Sequence, residues 1–169
     1  MMPMPSPIAA EILAAKLGEA LLQRGEKVAA AESCTGGGVS MAMTAIAGSS
    51  RWFERGFVTY SNEAKQEMLG VQSATLSAHG AVSAATVNEM AVGAIAHSRA
   101  DWSLAISGIA GPDGGTPDKP VGTVWIAWAG PQGFQRSEHH LFSGDRQAVR
   151  TQAIHRSIEG LLEFINNCI

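Results

Sequence analysis

The stretch KVAAAESCTGGGVSMAMTAIAG, residues 27–48, joins a short apolar run to three consecutive glycines and then to a second apolar segment. The run that ends at Ser33 reads as a buried strand, and the Met, Ala and Ile residues after the glycines suit a packed helix. A strand that turns through glycine into a helix is the building unit of an α/β sheet, and ligands gather where such strands end. The same turn sets two potential nucleophiles, Ser33 and Cys34, side by side. Two readings are open: an active-site turn, or a plain connection in which Ser33 is the N-cap of the following helix.

Outward from this unit, further segments follow the same alternation. Ile8, Ile12, Leu13, Leu17, Ala20 and Leu21 recur at helical spacing before a stop at Gly25, behind a proline-rich stretch over 1–7 that reads as a flexible tail. GFVTYS (56–61) is a strand candidate and NEAKQEMLG (62–70) a short helix capped by Ser61 or Asn62. From Ser83, Val87, Met90, Ala91, Ala94 and Ile95 form one helical stripe. WSLAIS (102–107) reads as a central strand, and GIAGPDGGTPDKP (108–120) leaves no room for regular structure. VGTVWIAWAG and FQRSEHHLF flank PQG as an antiparallel hairpin, and a last helix starts near Asp145. The count is five strands and four or five helices. The expected fold is α/β: one domain over 1–169, with a mixed, mainly parallel sheet of about five strands that ends in the hairpin and carries helices on both faces.

Composition narrows the function classes. Of 169 residues, 46% are hydrophobic and 16% charged, with a formal net charge of −3, so the chain has a core but no basic face for nucleic acid. Two cysteines, Cys34 and Cys168, are too few for a disulfide scaffold or a cysteine-based zinc site. No segment reads as a signal peptide or membrane span, and the expected location is the cytoplasm. Trp125 and Trp128 on the hairpin suit a core or a subunit interface, and a homo-oligomer is expected.

Three unusual segments fall at strand ends: Ser33–Gly38, Tyr60–Lys65 and Ser107–Thr116. If Ser33 opens a helix, the N–H groups after it lack intrahelical partners and face incoming negative charge. Cys34 in that position competes as nucleophile, with its pKa lowered by the helix end. A serine needs a base. Among five histidines only His79, in a loop before Gly80, is a candidate, and no metal-binding histidine spacing occurs. Lys65 is the other candidate: burial beside a helix start lowers a lysine pKa enough for it to take the Ser33 proton, whereas in solvent it is an ordinary helix residue. Tyr60, the sole tyrosine, either orients that lysine or packs a strand end. The loop SGIAGPDGGTPDKP has the small residues of an anion cradle. Lys119 at its end, and Arg146 at the opening of the last helix, offer cations to a phosphate.

AESCTGG, GFVTYSNEAKQEMLGV, GAVSAATVNEMAVGA, AISGIAGPDGGTPDKPVGTVWIA and FSGDRQAVR occur in the order seen in the C-terminal domain of the competence/damage-inducible protein CinA, and the chain resembles that family over nearly its whole length, in its stand-alone form. The resemblance implies a three-layer α/β/α fold and a metal-free, cofactor-free amidase that converts nicotinamide mononucleotide and water to nicotinate mononucleotide and ammonia. It matches Ser33 to the nucleophile, Lys65 to the general base and Tyr60 to a neighbouring catalytic position. Substrate contacts are expected from Thr35, Gly36 and Gly37, from Ser107, Gly108, Gly111, Gly114, Gly115 and Thr116, and from Arg146. A pyridine-nucleotide-binding regulatory module and a protein partner in competence or DNA damage are the alternatives.

Overall fold

The computed structural model describes residues 3–168, so the first two residues of the expected tail lie outside the described residues. The chain runs α1 (Pro7–Arg24), β1 (Val28–Glu32), α2 (Gly38–Thr44), β2 (Phe53–Val58), α3 (Asn62–Leu69), α4 (Ser73–His79), α5 (Ala84–Ala96), β3 (Trp102–Gly108), β4 (Thr123–Ala129), β5 (Gln135–Leu141) and α6 (Arg146–Asn167). One sheet holds all five strands in the order β2-β1-β3-β4-β5. β1 pairs in parallel with β2 and β3, while β3–β4 and β4–β5 are antiparallel. The sheet is therefore mixed, with two pairings of each kind.

Strand alternation divides the core into two layers. Val28, Ala30, Leu104, Ile106, Val124, Ile126 and Trp128 meet α1, α2 and α6 on one face. On the other, Ala29, Ala31, Ala105, Ala127 and Ala129 meet α5, with α3 and α4 outside it. The large side chains lie on the first face and the alanines on the second. Small residues let α5 lie close against the strands, near enough for Ser103 Oγ to donate to the Ala91 carbonyl at 2.6 Å. Trp128 is fully buried and its indole donates to the Ser157 carbonyl at 2.8 Å, whereas Trp125 is half-buried on the opposite face against His139.

The carboxyl ends of the three parallel strands lie on one edge of the sheet. β1 delivers Ser33 there, β2 Thr59 and Tyr60, and β3 Ser107 and Gly108. The chain leaves β1 toward the α1/α2/α6 face and leaves β2 toward the α3/α4/α5 face, so a crevice opens between these departures, as the topology of open α/β sheets requires.

Three local expectations change. Pro7 is the first residue of α1 rather than part of the tail, since a proline at that position lacks only an N–H the helix would not use, and Ser6 caps it. β2 begins at Phe53 and ends at Val58, three residues earlier at each end than GFVTYS suggested, which frees Tyr60 and Ser61 for the turn into α3. Helix α4 was not expected: SATLSAH buries no residue, so it carries no apolar stripe to read. His79 accordingly ends a helix rather than lying in a loop.

At Gly93 of α5 a Cβ atom would lie 2.0 Å from the backbone carbonyl oxygen of Leu69, at the end of α3. Alanine is the better helix former by about 1 kcal/mol, but overpacking against backbone reaches about 3 kcal/mol. Gly93→Ala is expected to cost a net of about 2 kcal/mol and to lower the melting temperature by roughly 4–8 °C in a thermal denaturation followed by circular dichroism. An unchanged melt would mean that α3 and α5 separate freely.

Candidate active site

β1 ends on a buried charge. Glu32 has no solvent exposure, and its carboxylate accepts from Thr35 Oγ1 (2.7 Å), the Val39 and Ser40 amides (2.8 and 3.0 Å) and Ser40 Oγ (2.7 Å). Those amides belong to the first turn of α2, so the carboxylate satisfies the orphan donors and lies at the positive end of the helix. A carboxylate this buried persists only when its oxygens are filled, as they are here.

Between Glu32 and α2 the chain makes a tight turn. Gly36 and Gly37 have φ of 57° and 102°, a left-handed conformation that glycine adopts without strain. Gly36 N–H donates to the Ser33 carbonyl at 3.0 Å and Gly38 N–H to the Thr35 carbonyl at 2.9 Å. The N-cap of α2 is Gly37, so Ser33 is not a capping residue. The amides of Cys34, Thr35 and Gly37 have no acceptor among the described residues, and of these residues only Cys34 lines the cleft. From α6, Arg150 donates Nε to the Cys34 carbonyl (3.0 Å) and Nη2 to the Thr35 carbonyl (3.1 Å).

Lys65 reaches this turn from α3, whose start is capped by Ser61. Its side chain is 1% exposed. Nζ lies 3.0 Å from Ser33 Oγ, 2.8 Å from the Thr59 carbonyl and 3.4 Å from the Tyr60 carbonyl, and no carboxylate pairs with it among the described residues. Desolvation without a counter-charge holds its pKa below the ordinary lysine range. Burial acts the other way on Cys34, pushing the thiol up to about 11. That runs against the expectation of a helix-activated thiol: burial outweighs any lowering at the turn, and the nearby Glu32 carboxylate adds to the rise.

A cleft of about 270 Å³ opens over Ser33 and Lys65. Cys34, Tyr60, Ser107, Gly108, Gly111, Gly114 and Arg146 line it, as do Asn62, Asp113 and the Ala81–Val82 segment. Tyr60 is 61% exposed; its hydroxyl accepts from Arg146 Nη2 at 3.0 Å, so its ring adjoins the arginine and only its carbonyl adjoins Lys65. Arg146 Nη1 also donates to the Gly111 carbonyl at 2.8 Å, tying α6 to the long loop. A wider cavity of about 770 Å³ shares Ala110 and Arg146 with the cleft.

Other expected contacts lie elsewhere. Thr35 is buried beneath the turn on Glu32, and neither Gly36 nor Gly37 lines the cleft. Gly115 packs against Val121, and Thr116 closes a turn with Lys119. Lys119 Nζ donates to the His79 carbonyl at 2.7 Å, so this lysine latches the loop to the end of α4 rather than facing the cleft. No histidine lines the cleft among the described residues, which removes His79 as a base.

Glu32 and Arg150 were missed in the sequence. Glu32 has a legible signal, an acid closing an otherwise apolar strand; Arg150 has none locally, because it acts on residues more than a hundred positions away. Among the described residues no group of three His, Cys, Asp or Glu side chains is placed to hold a metal, and no helix is long and apolar enough to cross a membrane.

The CinA C-terminal domain family model matches residues 10–165. The chain is 56% identical over 156 residues to the nicotinamide-nucleotide amidohydrolase PncC of Escherichia coli strain K12, covering 92% of this chain and 94% of that protein. The amidohydrolase of the same name from Pseudomonas putida is 51% identical over 153 residues, 90% of this chain and 94% of that one. Among solved structures, the competence/damage inducible protein CihA from Agrobacterium tumefaciens superposes with a TM-score of 0.92 at 40% identity, covering 99% of this chain and 100% of that chain. The sequence match runs unbroken from the first helix to the last, and the superposition carries the mixed sheet with it: the chain belongs to the CinA C-terminal domain family.

Proposed function

We propose that the protein hydrolyses the carboxamide of nicotinamide mononucleotide to nicotinate mononucleotide and ammonia, with Ser33 as nucleophile and Lys65 as its general base. The observation that carries this reading is the 3.0 Å contact between Lys65 Nζ and Ser33 Oγ in a buried setting with no carboxylate. A neutral amine has two N–H donors and one lone pair. The Thr59 and Tyr60 carbonyls take the two donors, and the lone pair is left for the Ser33 hydroxyl. The names of the two amidohydrolase relatives supply the substrate class.

A carboxamide is a poor electrophile, so a covalent route is chemically sensible. Ser33 Oγ attacks the amide carbon as its proton passes to Lys65, and the oxyanion is received by the free amide of Cys34, which lines the cleft. The tetrahedral intermediate collapses as Lys65 returns the proton to the departing nitrogen, releasing ammonia and leaving an ester on Ser33. Lys65 then deprotonates a water that attacks this ester, and it returns the proton to Ser33 Oγ as the acid leaves. Arg146, fixed by Gly111 and Tyr60, has N–H groups left for the phosphate, and this remote binding energy orients the amide over Ser33. Asp113 and Asn62 line the cleft where the ribose hydroxyls would lie.

Purified protein is expected to release ammonia from nicotinamide mononucleotide in the presence of a metal chelator. Ser33→Ala and Lys65→Ala should each cut turnover on the order of a thousandfold or more, with melting temperatures showing that both variants fold. No release by the wild type, with the nucleotide still raising its melting temperature, would identify a binding module instead.

The depressed Lys65 pKa has two consequences of definite sign. Turnover requires the neutral amine, so kcat should rise with pH through an apparent pKa below 10.5, the ordinary lysine value. Between the folded and unfolded pKa values the unfolded chain binds a proton that the folded one does not, so stability rises with pH in that window. Denaturation at pH 7 through 10 should therefore show wild type gaining on Lys65→Met as pH rises. A constant difference would mean that Lys65 is charged in the folded state.

A further inference from the structure

Arg150 lies one turn beyond Arg146 on α6 and pairs with no carboxylate among the described residues. Its guanidinium is spent on two backbone carbonyls of the Ser33 turn, those of Cys34 and Thr35. Each carbonyl belongs to a peptide unit whose N–H sits on the next residue. The Cys34 carbonyl is the far end of the unit that carries the Thr35 N–H. The Thr35 carbonyl is the far end of the unit that carries the Gly36 N–H, which donates to the Ser33 carbonyl at 3.0 Å. That carbonyl in turn is the far end of the unit that carries the Cys34 N–H. Two hydrogen-bonded paths thus run from one cation: the shorter ends on the buried Thr35 amide, and the longer on the Cys34 amide at the wall of the cleft.

We propose that Arg150 is a positioning residue for the oxyanion: it holds the Cys34 amide in place and polarises it through the peptide units of the turn. The inference rests on the reading of Ser33 as nucleophile. When Ser33 Oγ bonds to the amide carbon, the carbonyl π pair moves onto oxygen and the hydroxyl proton passes to Lys65, so the full negative charge appears beside the Cys34 amide. A charged donor on a peptide carbonyl withdraws electron density from the nitrogen at its other end and strengthens that N–H as a donor, by about 10–30% per hydrogen bond along a chain. The same bonds lock the peptide planes before the reaction, so no reorganisation accompanies the developing charge. Glu32 and Arg150 divide the work: the carboxylate takes the donors of the Thr35 side chain and of the α2 start, and the guanidinium fills the acceptors of the turn.

The test compares wild type, Arg150→Met, Arg150→Lys and Ser33→Ala. Ammonia release from nicotinamide mononucleotide gives kcat and KM. Calorimetry gives the affinity for two probes: the pyridine mononucleotide that lacks the carboxamide, and the analogue bearing an aldehyde in its place, to which Ser33 adds reversibly to form a tetrahedral hemiacetal. Removing a whole oxyanion donor costs about 100- to 1,000-fold in kcat; loss of polarisation should cost less, about 10- to 100-fold in Arg150→Met. Arg150→Lys, which keeps the charge but not the fork, should lose less again. KM and affinity for the carboxamide-free nucleotide should stay within about threefold, while affinity for the aldehyde falls in step with kcat. If the Met variant does not fold, the Lys variant is judged on the same comparison.

Equal losses for both probes would reduce Arg150 to a structural brace and overturn the proposal. A raised KM at unchanged kcat would do the same, by making Arg150 a phosphate ligand. Full activity in both Arg150 variants beside an inactive Ser33→Ala would overturn this inference alone. A wild type that releases no ammonia, or a Ser33→Ala as fast as wild type, would overturn the functional reading and this inference with it.

Discussion

The buried carboxylate of Glu32 is the constraint from which the rest of the site is built. An isolated charge at such depth is expensive, and four short hydrogen bonds are what make it tolerable. To supply them, the chain has to turn back at once so that the start of α2 sits over the end of β1. The glycines at 36 and 37 allow that turn through left-handed backbone. Because Glu32 occupies the helix N-terminus, the turn itself is released from capping duty. Ser33 is left lining the cleft, and the Cys34 amide after it is left without an acceptor among the described residues.

Lys65 is placed at the opposite extreme. Its ammonium form has carbonyls and a hydroxyl for partners but no anion, and the protein carries that cost where an apolar side chain would pack without one. A depressed lysine pKa is a concentration of unfavourable desolvation at one point, and such points cluster at functional sites. The neighbouring thiol of Cys34 shows how selective the environment is. The same burial that lowers the lysine pKa raises that of the cysteine thiol to about 11.

The sheet gives these groups a rigid frame. Alanines on one face bring α5 against the strands, which draws α3 and its lysine in behind it, since Leu69 at the end of α3 packs on α5 beside Gly93. Large side chains on the other face hold α6 at the distance from which Arg146 and Arg150 reach the strand ends. The long loop after β3 is tied at two points, by Arg146 to Gly111 and by Lys119 to the end of α4. A glycine-rich segment without regular structure is thereby held in one position over the cleft.

Much of this was legible in the sequence. The strand-glycine-helix unit at 27–48, the stripe of α5, the hairpin and the cap of α6 are local patterns of period, turn and cap, and each formed where its residues said it would. Helix α4 was not legible because it buries nothing, and the limits of β2 were not because Thr59 and Tyr60 have strand-like side chains but are used at a turn. Ser33 was a candidate from its own neighbours alone. Lys65 was not decidable that way, since a lysine among Asn, Glu and Gln on a short helix looks solvated until the sheet order puts β2 beside β1. Only tertiary structure could bring its amine to Ser33 and set Arg150 against the turn. Periodicity reports which face of an element is buried. Which charges meet depends on how distant elements are stacked, and no local pattern encodes that.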